Sequence, residues 1–164
     1  MEQFKIELKW ALIFTLMGFV WMFGEKAFGL HDVHIDKHMI YTNFIAIPAI
    51  AIYWFGLRDK KKNFYGGVMD FREGLRCGLV MTVIIAALAP LSQYIISTFI
   101  TPDYFNNAIK YSVDQKMFTQ QQAEDYFSLK SYLKQSVFGA LVMGMLTSAI
   151  IALIVKNKPT APRK

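Results

Sequence analysis

Cysteine is almost absent from this chain: among 164 residues there is one, Cys77. An intrachain disulfide is therefore excluded, and the redox compartment cannot be read from cysteine usage. Cys77 itself is expected to be a small packing residue where a helix enters an apolar run. Charge is sparse as well. Asp, Glu, Lys and Arg make up 18% of the residues, against roughly 25% in soluble domains. The charges lie between long apolar runs and form no basic face of their own, so the formal net charge of +6 does not point to nucleic acid. A phosphate loop, a dinucleotide fingerprint, a nucleophile elbow and a paired-cysteine metal site are all missing. No enzymatic activity and no cofactor are expected.

What the chain does have is hydrophobic length. Hydrophobic residues make up 54% of it. The longest run, Gly74–Ile100, carries no charge after Arg76, and about 20 apolar residues suffice to cross the hydrocarbon core. The resulting expectation is an all-α, four-transmembrane-helix bundle, a single domain over 1–164, with spans at about 8–25, 39–57, 74–99 and 133–155. The first run follows Lys5 and Lys9, as in a signal peptide, but no small-x-small cleavage site follows it. Pro48 and Pro90 lie inside spans and each frees a carbonyl, of Phe44 and Ala86. Tyr53 and Trp54 are expected at a membrane interface. Asp70-x-x-Glu73 reads as a capping box that starts the third helix near Phe71. Small residues recur every fourth position in two spans: Gly74, Gly78, Thr82, Ala86, and Ala140, Gly144, Ser148, Ala152. Such stripes let helix backbones approach closely in lipid.

Between the last two spans, Thr101-Pro102-Asp103 reads as a helix start capped by Thr101. Phe105, Ile109 and Val113 form one apolar stripe on a helix too polar to span. Thr119-x-x-Gln122 reads as a second capping box. No Pro or Gly interrupts 119–138, so this helix is expected to run on into the fourth span. The segment 101–132 is expected to be an extracytoplasmic amphipathic helical hairpin. The tail, with Lys156, Lys158, Arg163, Lys164 and two prolines, is expected to be disordered. Lys and Arg number 12 on the side of the termini and of residues 58–76, against 6 on the other. Positive charge is favoured inside, so both termini are expected to be cytoplasmic.

These pieces resemble a bacterial family of four-helix integral membrane proteins of unknown function. The likeness is carried by Glu25 with Gly29-Leu30-His31-Asp32, and by Leu57-Arg58-Asp59-Lys60-Lys61. It continues through Gly67, Phe71 and Gly74-Leu75 to Gly78-Leu79, then Pro102-Asp103-Tyr104-Phe105, and Thr119, Ala123 and Tyr126. The resemblance implies a multi-pass protein of the inner membrane and assigns no activity.

The sharpest local feature is His31, His34 and His38, spaced to share one face if helical, with Asp32 and Asp36 alongside. Asp32 is also a plausible N-cap. Imidazole and carboxylate at such spacing suit Zn²⁺, and histidine suits pH sensing. The favoured reading is a solvated helix start with no tight metal site. Glu25, at the end of the first span, is expected to pair with Lys26, His31 or water. Asn43 and Gln93 are neutral polar groups inside spans and are expected to bond across helices. The leading reading is a non-enzymatic membrane protein that acts through helix packing or partner binding, as a homo-oligomer or with a membrane partner. The alternative is a small transporter or channel with a polar path near Asn43, Gln93 and Glu25. Arg58, Lys60, Lys61 and Lys62 are expected to meet anionic lipid. Glu25, His31, Asp32, Asn43 and Gln93 are the binding candidates.

Overall fold

The computed structural model describes residues 2–157. Among these the chain is all-helical, with no strand. The helices are α1 Lys5–Ala27, α2 Ile35–Tyr41, α3 Ala46–Asn63, α4 Phe71–Ile95, α5 Tyr104–Asp114, α6 Gln120–Tyr126 and α7 Leu129–Val155. A 3-10 stretch, Thr42–Ile45, links α2 to α3 just before Pro48, and a π-turn, Ile96–Ile100, extends α4. Four stretches are long and apolar enough to cross a membrane: Lys5–Ala27, Ile35–Asn63, Phe71–Ile100 and Leu129–Val155. Only 11% of the most apolar window of α1, and 22% of the other three, is buried in the bundle. Leu16, Val20, Phe23, Leu91, Phe99 and Phe138 therefore point outward. Water would penalise so broad an apolar surface, whereas lipid tails do not.

The two small-residue stripes meet each other. Helices α4 and α7 form the most extensive contact in the bundle, antiparallel and in register. Gly74 faces Ala152, Gly78 faces Ser148, and Gly144 faces Thr82. A Cβ on Gly78 would fall 2.6 Å from Cβ of Ser148, and one on Gly144 would fall 2.5 Å from Cγ2 of Thr82. Glycine is what allows this approach. Each hydroxyl in the seam bonds back to its own helix: Ser148 Oγ donates to the Gly144 carbonyl at 2.6 Å, and Thr82 Oγ1 to the Gly78 carbonyl at 2.9 Å. Helix α3 joins the seam through Tyr53, whose hydroxyl lies 2.9 Å from Thr82 Oγ1. Leu57, Met69, Cys77, Met81, Ile85 and Ile151 pack around it.

The bundle has two distinct ends. At one, α1 starts, α3 ends, α4 starts and α7 ends. Glu7 and Lys60 form a buried ion pair there at 2.9 Å. Asp59 accepts from Trp10 Nε1 at 2.7 Å and pairs with Lys9. Lys61 Nζ donates to the Val155 carbonyl at 2.7 Å, and Asn157 N donates to the Met69 carbonyl at 2.9 Å. At the other end lie the end of α1, helix α2, the π-turn, α5 and α6, and the start of α7.

Local expectations fare unevenly. The capping boxes at Asp70 and Thr119 are both present, and Cys77 is a free, buried side chain. Tyr53 is not at an interface: it is 3% exposed, inside the seam. Trp54 does lie near the surface, with the Arg58 guanidinium 4.6 Å from its ring. Thr101 does not cap α5, which starts at Tyr104 without a side-chain cap. Its hydroxyl closes the preceding π-turn instead, donating to the Ile96 carbonyl at 3.3 Å. The continuous helix expected from 119 into the fourth span is broken. Ser128 is extended, and its hydroxyl donates to the Asp125 carbonyl and accepts from Ser131 N. Such local bonding competes with the helix and starts a new one. The tail expected to be disordered lies, after Asn157, outside the described residues.

Candidate functional site

The site begins with the way α1 stops. Leu30 N bonds the Glu25 carbonyl at 3.0 Å and Gly29 N the Lys26 carbonyl at 2.9 Å. This is the paired closure of a Schellman motif, which needs a left-handed residue after the cap. Gly29 supplies it, at φ +69°. The reversal folds the following residues back over the last turn of α1, and His31 lands on Glu25.

Glu25 Oε2 lies 3.0 Å from His31 Nε2 and 3.6 Å from His38 Nδ1. The three side chains are 3%, 6% and 18% exposed. Trp21, one turn earlier on α1, donates its indole N–H to the other carboxylate oxygen at 2.5 Å. The Tyr104 ring, at the start of α5, packs 5.3 Å from His31 and 5.1 Å from His38. Burial pushes the Tyr104 hydroxyl above the ordinary tyrosine range, so this wall stays neutral. Asn107 on α5 donates to the His31 carbonyl at 2.9 Å. Lys26 Nζ reaches the Ile100 carbonyl at 2.6 Å and ties the end of α1 to the π-turn. The cluster thus joins the adjacent ends of two candidate spans to α5. The Nδ1 atoms of His31 and His38 are buried without a hydrogen-bond partner. Buried polar nitrogens are rarely left so, and these two require an explanation.

Of the expected partners of Glu25, His31 is the one found; Lys26 is turned away. Histidines 31, 34 and 38 do not share one helical face, because α2 starts only at Ile35. His34 is exposed and outside the cluster. The solvated reading therefore fits His34 and is corrected for His31 and His38. Asp32 does not cap α2: the cap position falls on His34, and the Asp32 carboxylate accepts from the adjacent Val33 N. Asn43 donates to the Met39 carbonyl at 2.6 Å, and Gln93 to Ser97 Oγ at 2.9 Å. Both bonds stay on their own stretch of helix, so the expected cross-helix role is corrected. These hydrogen bonds of Asn43 and Gln93 do not reach Glu25. Trp21, Tyr104 and Asn107 are site residues that the sequence reading did not name as such. Trp21 carries a signal, four residues before Glu25 and so on the same helix face, and Tyr104 stands only in the Pro102–Phe105 stretch of the family resemblance.

The basic end needs one correction. Lys60 does not face lipid: it is 3% exposed and held by Glu7 and the Gln3 carbonyl. Arg58, Lys61 and Lys62 line a surface concavity with Trp54, Asp59 and Ile154.

Fold and site define an all-helical chain whose four apolar helices fit a multi-pass membrane protein, with a carboxylate–imidazole cluster buried at one end of the bundle. Residues 9–157 match the family described as "Protein of unknown function (DUF4199)", and the chain belongs to that family. No curated protein and no solved structure matches it.

Proposed function

We propose that this is a non-enzymatic, multi-pass protein of the bacterial inner membrane with both termini cytoplasmic. Helices α5 and α6 then form an extracytoplasmic helical hairpin, and the end of the bundle beneath it is the working end. There the protein binds a ligand and hands the response, through the packed bundle, to a second copy or another membrane protein. The observation that carries this reading is the burial of Glu25, His31 and His38 together at the junction of two spans and α5. Ionisable groups at such a depth are costly and favour a functional over a decorative role. The threading is supported by the gathering of Lys9, Arg58, Lys61 and Lys62 at the opposite end, where positive charge is retained inside. Arg58, Lys61 and Lys62 there meet anionic lipid headgroups. Nucleic acid plays no part. Reporter fusions after Val155 and within 110–120 test the threading. A cytoplasmic signal from the first and an extracytoplasmic one from the second are expected; the reverse overturns the reading.

A further inference from the structure

We propose that Glu25, His31 and His38 form a binding site for a divalent transition-metal ion of the zinc class. One ligand atom from each lies within 4.8 Å of the others. Tetrahedral zinc, with bonds of roughly 2.0–2.1 Å, sets its ligands about 3.3–3.5 Å apart. Glu25 Oε2 already stands 3.0 Å from His31 Nε2 and 3.6 Å from His38 Nδ1. Closing the set around an ion therefore takes small side-chain movements and no rebuilding of the backbone. Two imidazoles and one carboxylate are a nitrogen–oxygen set, which suits zinc-class ions; calcium and magnesium prefer oxygen alone. An ion would also give a ligand role to a buried nitrogen that has no hydrogen-bond partner, His38 Nδ1, 3.6 Å from the Glu25 carboxylate.

Two contacts hold the ligands in place, while His31 Nδ1, the nitrogen left over if Nε2 binds the ion, has no hydrogen-bond partner among the described residues. Trp21 holds the second oxygen of the carboxylate at 2.5 Å and fixes its plane. Asn107 holds the His31 backbone at 2.9 Å. Such outer partners orient ligands and tune affinity. Because Glu25 ends α1, His31 lies in the turn and His38 sits on α2, the ion would fasten the ends of the first two spans to each other beneath α5. The site deepens the reading of this end as the working end, yet its chemistry does not depend on which side of the membrane it faces.

The test uses the full chain, purified in detergent, stripped with a chelator and titrated with Zn²⁺ by equilibrium dialysis. Co²⁺ serves as a spectroscopic probe, since tetrahedral Co²⁺ gives visible bands. One equivalent of Zn²⁺ is expected to bind with a dissociation constant below about 10 μM. His31→Ala and His38→Ala are expected to weaken it more than about tenfold and to abolish the Co²⁺ bands. His34→Ala, exposed and outside the cluster, is expected to bind as the unmodified chain does. Should His31→Ala not fold, His38→Gln at the more exposed ligand, checked for a monodisperse elution profile, makes the same test. Absence of binding by the unmodified chain, or equal loss in His34→Ala and His38→Ala, overturns the site. Binding that follows this pattern while the fusion after Val155 reads extracytoplasmic keeps the site and removes the threading. A correct fusion signal without Zn²⁺ binding does the opposite.

Discussion

Replacing Gly144 by alanine probes the α4–α7 seam with a single methyl group. That methyl would fall 2.5 Å from Thr82 Cγ2, 2.6 Å from Thr82 Oγ1 and 2.8 Å from the Tyr53 hydroxyl. Thr82 cannot swing away freely, because its hydroxyl is held by the Gly78 carbonyl at 2.9 Å and by Tyr53 at 2.9 Å. The helices must separate or the bonds must break. A radial gap of about 0.5–1 Å forfeits a quarter to a half of each dispersion contact along the seam. Overpacking of this kind costs about 1–3 kcal/mol, and a lost interhelical hydrogen bond in a membrane protein adds about 0.6 and at most about 1.7. The total is about 2–4 kcal/mol. Gly139→Ala is the control: it lies on the same helix with nothing within 4 Å of its added Cβ. It should be neutral or stabilising by up to about 1 kcal/mol, as alanine favours the helix. Thermal unfolding in detergent reads the difference. At roughly 2–4 °C per kcal/mol for a chain of this size, Gly144→Ala should melt at least about 4 °C lower. If Gly144→Ala and Gly139→Ala melt together, the seam is not packed as described.

Other outcomes follow from single contacts. Lys60→Met leaves the Glu7 carboxylate buried without its 2.9 Å partner and should cost about 3–5 kcal/mol, while the double change Glu7→Leu with Lys60→Met should cost clearly less, read by the same melts. Tyr53→Phe removes the 2.9 Å bond to Thr82 and should cost about 0.6–1.7 kcal/mol by the same assay. Asp70→Ala breaks the reciprocal capping box with Glu73 and should cost about 1 kcal/mol, with amide exchange in the first turn of α4 rising.

The spans were legible because hydrophobic length is a local property. The caps at Asp70 and Thr119 were legible because both partners sit within three residues. The two small stripes were visible separately, but a stripe does not say what it meets; only the fold sets Gly78 against Ser148. Helical spacing does not hold for the histidines because a turn separates His31 and His34 from α2. The left-handed Gly29 at φ +69° redirects the chain, so His31 and His38 converge while His34 is left outside. Lys60 was grouped with its charged neighbours, although its helical phase was available. Ile52, Tyr53, Gly56, Leu57 and Lys60 are the buried residues of α3, on one face at three- and four-residue steps. That phase places Lys60 inward with the seam, and Glu7 is what makes its burial tolerable. The break at Ser128 was hidden because serine is permitted in helices and its local bonds depend on the turn it makes.

The proposed placement of the buried cluster outside rests on the arrangement of the two ends across the membrane, and cysteine labelling in intact cells measures it directly. The unmodified chain holds only the buried Cys77 and is the blank. Gln115→Cys lies at the exposed end of α5, and Asn63→Cys at the exposed end of α3. With a membrane-impermeant maleimide, Gln115→Cys is expected to label in intact cells and Asn63→Cys only after permeabilisation. Labelling of Asn63→Cys in intact cells, with Gln115→Cys protected, would contradict the proposed placement of the carboxylate–imidazole cluster outside.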